Sequence, residues 1–122
     1  MATTMPQNPD QTLPPHWAAE VGSRLEAGES VQAWLETDLD ARLYFAPGLI
    51  VLTERRLLAR AGGDLNWQSW PLPAGQRLEH HDHAGVGLLE LVNDQGRVAT
   101  WRYTLARNLA ALRVITEFDL HR

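Results

Sequence analysis

"GLIVLTERRLL", Gly48 to Leu58, is the stretch that decides how this chain folds. Leu49-Ile50-Val51-Leu52 is a short apolar run with strand length and strand composition. Thr53-Glu54-Arg55 breaks it as a tight charged turn. Leu57-Leu58-Ala59 then resumes the apolar character, so the run reads as two antiparallel strands joined by a hairpin. Upstream, Pro47-Gly48 is expected to be another turn, following Leu43-Tyr44-Phe45.

The same grammar extends in both directions. "SVQAWLETD" alternates Val31, Ala33 and Leu35 against Gln32, Trp34 and Glu36, the period of a strand. Downstream, Gly62-Gly63-Asp64 is a turn. "LNWQSWPL", "QRLEHHDH", "VGLLELVND" and "RVATWRY" follow, each of strand length and each followed by a turn candidate. Asn93-Asp94-Gln95-Gly96 is the clearest hairpin loop. The ends differ. Met1 to Pro15 is polar, proline-rich and aperiodic, and reads as a disordered arm. Pro14-Pro15 opens a helix with Trp17, Val21 and Leu25 on one stripe and Gly28 as C-cap. At the other end Leu105, Leu109, Leu112, Ile115 and Phe118 predict an amphipathic helix with Thr104 as N-cap. Arg107, Arg113 and Glu117 are expected to face water.

The order is helix, about seven antiparallel strands, helix. Short hairpins leave no room for parallel crossovers. The expected class is α+β: a strongly bent antiparallel sheet or small barrel, capped by the C-terminal helix, with an extra helix at the N-terminus. At 122 residues the chain makes one domain, 16–122.

Composition excludes several chemistries. The chain has no cysteine, and all eleven basic residues are arginine. Thiolate nucleophiles, disulfides, Schiff-base lysines and a P-loop lysine are therefore absent. Ser23, Ser30 and Ser69 carry no nucleophile-elbow motif, and no catalytic residue or cofactor is assigned. Net charge is −4 and the arginines are scattered, which argues against nucleic acid and anionic lipid as main partners. No apolar run is long enough to span a bilayer.

Several local words carry a resemblance. "LEAGESV" before the first strand, "FAPGLIVLTERRLL" and the closing "WRYTLARNLAALRVITEF" together resemble the bacterial pleckstrin-homology-like (PH-like) domains, over roughly Ala27 to Phe118. The chain also looks like the N-terminal cytosolic region of bacterial ABC exporters associated with cyanophycin metabolism. That resemblance implies a non-enzymatic accessory domain, part of a longer chain. It would be cytoplasmic and tethered to the inner membrane through its parent, with protein partners: the rest of the transporter or a second copy. Lipid-binding members use a basic loop. Here the corresponding segments hold only Arg42, Arg55, Arg56 and Arg60, beside Asp38 and Asp40, so lipid binding is not expected.

Three features are candidate sites. In His80-His81-Asp82-His83, a strand puts His81 and His83 on one face, a two-ligand geometry for a metal. Glu79 and Glu90 are the nearest candidates for a third ligand. The alternatives are a polar edge strand or loop that discourages sheet-to-sheet pairing and a pH-sensitive contact. A metal- or ligand-sensing module is accordingly the second functional expectation, and a freestanding peripheral membrane binder the third. Trp67 and Trp70, three apart, face opposite sides of a strand, and Trp34 lies opposite the Val31-Ala33-Leu35 face. Each is an interface candidate unless the N-terminal helix or the core covers it. Gly85-Val86-Gly87 lacks the following helix that a phosphate loop needs, so a bulge or close strand approach is expected.

Overall fold

The computed structural model describes residues 13–72 and 75–120. The elements in chain order are α1 (Pro15–Gly22), β1 (Val31–Leu39), β2 (Phe45–Thr53), β3 (Arg56–Arg60), β4 (Gln68–Pro71), β5 (Arg77–His83), β6 (Val86–Asn93), β7 (Gly96–Thr104) and α2 (Asn108–Asp119). A single 3-10 turn, Leu105–Arg107, leads into α2. The seven strands form one sheet in the order β4-β3-β2-β1-β7-β6-β5, antiparallel throughout. The α+β expectation and both helices are observed. Most of the expected arm, residues 1–12, lies outside the described residues. Leu13 is already buried and α1 starts at Pro15.

The sheet bends back on itself. β4 and β5 are opposite edges of the sheet, yet only five residues separate Pro71 from Arg77. Six flat strand spacings would put the edges roughly 29 Å apart, whereas that connection reaches at most about 20 Å. Trp70 on β4 meets Trp101 on β7 edge-to-face, ring centroids 5.6 Å apart, although three strands intervene in the sheet. β1 is the hinge of this fold: its pairing with β7 is registered at one position, Leu39 opposite Arg102.

Two apolar clusters follow. Inside the bend, Leu35, Ile50, Leu52, Leu57, Leu89, Leu91, Trp101 and Tyr103 pack with Ala111, Val114 and Phe118 of α2. Outside it, α1 lays Trp17 and Val21 over Leu49, Val51 and Leu58, joined by Leu13. β2 is therefore covered on both faces, which explains why Leu49 to Leu52 is continuously apolar instead of alternating.

Four local expectations are corrected. Pro47-Gly48 is not a turn but lies within β2, where the β1–β2 register shifts between Thr37 and Leu39. A bulge tolerates a residue without an N–H. The reversal occurs instead at Asp40–Leu43. There Leu43 takes a positive φ, and the Asp40 carboxylate accepts the Arg42 and Tyr44 N–H groups. Gly48 is needed for another reason: a Cβ there would lie 2.6 Å from Thr37 Oγ1 and 2.7 Å from the Arg60 carbonyl oxygen. Helix α1 ends at Gly22, six residues before Gly28, which sits in a later turn at φ +80. Thr104 makes no side-chain cap; it donates its hydroxyl to Asp38 Oδ2 at 2.5 Å.

The fourth correction concerns α2. Its buried face is Ala111, Val114 and Phe118, with Ile115 half-buried. Leu105, Leu109 and Leu112 are exposed, Leu109 by 71%. The expected stripe steps by three residues from Leu109 onward. Each such step slips about 60° around a helix with 3.6 residues per turn, so only the stripe's C-terminal part reaches the core. Arg113 does face water, while Arg107 and Glu117 are half-buried.

Candidate functional site

The Gly85-Val86-Gly87 expectation resolves into two roles. Ala84 and Gly85, both at positive φ, make the tight turn from β5 to β6. Gly87 is the close approach, since the Tyr103 ring occupies the space a Cβ would take. This turn carries His80 to His83 along the β5 edge of the sheet, and all four residues from His80 to His83 are exposed.

The structure does not unite His81 with His83 as a ligand pair. It unites His81 with the two glutamates. Glu79 and Glu90 stand directly opposite each other on β5 and β6, and His81 is two residues along the same face. His81 Nε2 lies 3.1 Å from Glu90 Oε1 and 4.0 Å from Glu79 Oε1. Each glutamate's other oxygen is held elsewhere. Arg77 Nε donates to Glu79 Oε2 at 3.1 Å, and Arg97 Nη1 donates to Glu90 Oε2 at 3.1 Å. Thr100 adds a longer hydrogen bond to Glu90 Oε2, 3.4 Å. Glu79, His81 and Glu90 present one ligand atom each within 4.8 Å of one another. His80 and Asp82 point to the opposite face, and His83 stands outside the group.

The tryptophans have partners within the chain. Trp67 stacks edge-to-face on Trp17 of α1, centroids 6.3 Å apart, and its indole N–H donates to Glu20 Oε2 at 2.7 Å. That bond, with Arg60 beside it, holds the Glu20 carboxyl below its ordinary pKa. Trp34 packs into the same outer cluster. Trp70 packs against the inner one. All three are half-buried. Trp67 and Trp70 do lie on opposite sides of the sheet, as their spacing predicts, and α1 covers the outer one.

The basic segments are likewise occupied. Arg55 pairs with Glu26 at 3.1 Å, Arg56 with Glu29 at 2.8 Å and Arg60 with Glu20 at 2.9 Å. Arg42 lies 5.1 Å over the Tyr44 ring. An anion at Arg55, Arg56 or Arg60 would compete with the carboxylate already paired there.

One of these pairs is the polar knot of the fold, which sequence reading missed. Glu29, its side chain fully buried, receives the Arg56 Nε and Nη2 donors, both at 2.8 Å. The Thr53 hydroxyl donates to the same carboxylate at 2.7 Å and the Glu26 N–H at 2.9 Å. The Arg56 fork, reinforced by these donors, holds the Glu29 carboxyl at a pKa of about 2. Thr53 Oγ1 in turn accepts the Arg55 and Arg56 N–H groups at 3.1 Å, shaping the β2–β3 turn. Glu29 comes from "LEAGESV" and Thr53 and Arg56 from "LTERRLL", so two separately quoted words meet in space. The signal that could have found it was a lone acidic residue just before a strand, with a threonine and arginine flanking a turn.

Where β1 and β7 part, a cavity of about 370 Å³ opens. Thr37, Leu39, Trp101, Arg102, Asp40 and Asp64 are among its lining residues. Asp40 and Asp64 each accept backbone N–H groups within their own turns, so their placement is explained by the loops they close.

An uncovered apolar line runs from the 3-10 turn into α2. Leu109 and Leu112, three apart, lie on the side of α2 away from Ala111, Val114 and Phe118; exposed Leu105 in the preceding 3-10 turn and exposed Leu120 just past the helix extend the line. Exposed Leu43, Tyr44 and Phe45 reach the same end of β1, because Phe45 pairs with Leu39 while Asp38 binds Thr104.

No family model matches this chain, and neither a similar curated protein nor a similar solved structure was found. Among the described residues no helix is long and apolar enough to cross a membrane.

Proposed function

We propose that the chain is a PH-like, non-catalytic interaction domain that docks on a protein partner, on the cytosolic side of a bacterial ABC exporter. Two observations support the fold assignment: the bent seven-strand antiparallel sheet and the C-terminal helix set into its opening. The transporter setting rests on the resemblance of "LEAGESV", "FAPGLIVLTERRLL" and the closing helix.

The observation that carries a docking role is the Leu105–Leu109–Leu112 stripe. Single exposed leucines are ordinary on a protein surface. Leu109 and Leu112 on one face of α2, opposite the face already used for packing, with exposed Leu105 in the turn before the helix, form an apolar stripe with nothing of this chain over it among the described residues. Such a stripe fits a groove or a helix of a partner. The half-buried tryptophans contribute less, because α1 and the inner core already cover them.

The test is photocrosslinking in the native host. A benzophenone amino acid is placed at Leu109, or at Gln95 in the β6–β7 turn as control. The expected result is a crosslink from position 109 to a membrane-embedded transporter subunit, lost with Leu105→Ser and Leu112→Ser. Crosslinking at 109 no stronger than at 95 overturns the docking role. A strong crosslink to a protein unrelated to transport overturns the exporter setting alone.

A further inference from the structure

The geometry points to Glu79, His81 and Glu90 as a binding site for a borderline divalent metal ion, of which Zn²⁺ is the representative, on the outer face of the β5–β6 hairpin. The ligand set is one imidazole nitrogen and two carboxylate oxygens. Such mixed N/O sites suit zinc and its neighbours better than magnesium or calcium, which take oxygen alone.

Three features of the arrangement support it. First, the ligand atoms converge. Ligands about 2.0–2.2 Å from a tetrahedral ion lie roughly 3.4 Å from each other. His81 Nε2 and Glu90 Oε1 are 3.1 Å apart, and Glu79 Oε1 is 4.0 Å from the same nitrogen. All three ligand atoms lie within 4.8 Å of one another, so a shift of the half-exposed Glu79 side chain by about 1.5 Å closes the set.

Second, the carboxylates are oriented. Each uses its Oε2 on a fixed donor, Arg77 for Glu79 and Arg97 with Thr100 for Glu90, and each turns its Oε1 toward His81. Outer partners that hold the non-ligating oxygen are what positions a metal ligand. The same arginines offset negative charge, which weakens the site relative to structural zinc.

Third, the sheet register sets two glutamates directly opposite one another. Like charges at a cross-strand pair are destabilising, and Arg77 and Arg97 meet the two carboxylates only at their outer oxygens, leaving the Oε1 atoms facing His81. A neutral imidazole can donate its Nε2 proton to only one of the two oxygens facing it. A cation at that point satisfies both carboxylates and leaves Nε2 as a donor to the metal. The charged groups around the position are Arg77, Arg97 and, one strand further on β7, Arg102 opposite Leu88. His83 shares the face but is not a ligand, so this site differs from the paired-histidine geometry that the sequence pattern suggests.

The chain has no cysteine to compete for the ion. The test uses tag-free protein, calorimetric titration with ZnCl₂ and with MgCl₂, and thermal melts. One Zn²⁺ per chain is expected, with a Tm rise of about 5 °C at tenfold excess over Kd, and no response to Mg²⁺. His81→Ala and Glu90→Gln should each abolish the rise while leaving the metal-free melt near the parent's. The double variant His80→Ala/His83→Ala should keep it. Absence of Zn²⁺ binding up to about 1 mM overturns the site, as does binding that survives His81→Ala. Binding that survives Glu90→Gln but is lost in the double histidine variant also overturns it, in favour of histidines alone. Because all these positions are at or near the surface of one hairpin, circular dichroism of each variant separates lost metal binding from lost folding.

Discussion

Replacing Glu29 by glutamine probes the most consequential polar contact in the molecule. The substitution keeps shape and volume but removes the charge that Arg56 and Thr53 address. A carboxyl brought from 4.5 to about 2 on folding contributes about 3 kcal/mol at neutral pH, at 1.36 kcal/mol per pKa unit. The geometry gives a similar figure. Removing one partner of a buried pair costs roughly 3–5 kcal/mol, and the lower end applies because water reaches part of the guanidinium and can solvate it. Arg56 is that partner, its side chain 21% exposed.

The folded pKa lies below the unfolded one. The contribution is therefore complete above about pH 5 and is lost as pH falls toward 2. Glutamine has no proton to gain, so the penalty of Glu29→Gln must shrink with acid, from about 3 kcal/mol at pH 7 to roughly half that at pH 3. Urea unfolding of both proteins at the two pH values measures it. A penalty below about 1 kcal/mol at pH 7 would refute the view that the charge matters. A large penalty that does not change with pH would refute the electrostatic account and point to lost packing.

Three further outcomes follow from the packing. Gly87→Ala forces a methyl into the Tyr103 ring and should cost about 2–3 kcal/mol in denaturant melts. Tyr103→Phe should be neutral or stabilising by up to about 1 kcal/mol, because the buried hydroxyl has no hydrogen-bond partner among the described residues; a clear loss of stability would reveal a partner. Phe118→Ala, in the inner core, should cost about 3–5 kcal/mol, while Leu109→Ser on the exposed side of the same helix should change stability by less than about 0.5 kcal/mol.

What the chain order reveals, and what it conceals, follows from which interactions are local. Turns and alternation are local, so Thr53–Arg55, Gly62–Asp64 and Asn93–Gly96 are legible, as are the strands between them. Pro47 misleads because a bulge and a turn favour the same residue, and only the pairing of Thr37 with Gly48 distinguishes them. The α2 stripe misleads because large residues dominate a periodicity count, whereas Ala111 and Val114 fit the narrow space over the sheet. In the site, the alternation of β5 correctly separates His81 from His80. That His81 meets Glu90 and not His83 depends on register and side-chain direction, and these are set by the Ala84–Gly85 turn. The Glu29 knot joins residues 24 and 27 positions apart, a separation at which no sequence period operates.

The distribution of unsatisfied surface narrows what the domain can do. The features that catch attention in the sequence, tryptophans and arginine runs, are largely consumed inside the fold. α1 takes Trp67 and Arg60 through Glu20, and the knot before β1 takes Arg56. These residues hold a helix and a hairpin to the outside of the sheet, so replacing them would report on stability before function. Among the described residues, the leucine line at α2, the exposed Leu43-Tyr44-Phe45 run and the Glu79–His81–Glu90 group are not required by the fold, and the first and last of these carry the two proposals. Both are on regular elements, so their geometry is rigid without a ligand or partner. They also lie on opposite faces of the β5–β6 hairpin: the closing helix packs on the inner face with Leu78, and the Glu79–His81–Glu90 group is on the outer one. Substitutions at Leu109 and at His81 should therefore act independently, and a double variant should show the sum of the two separate losses. Coupling between them would mean that the hairpin and the helix contact the same partner.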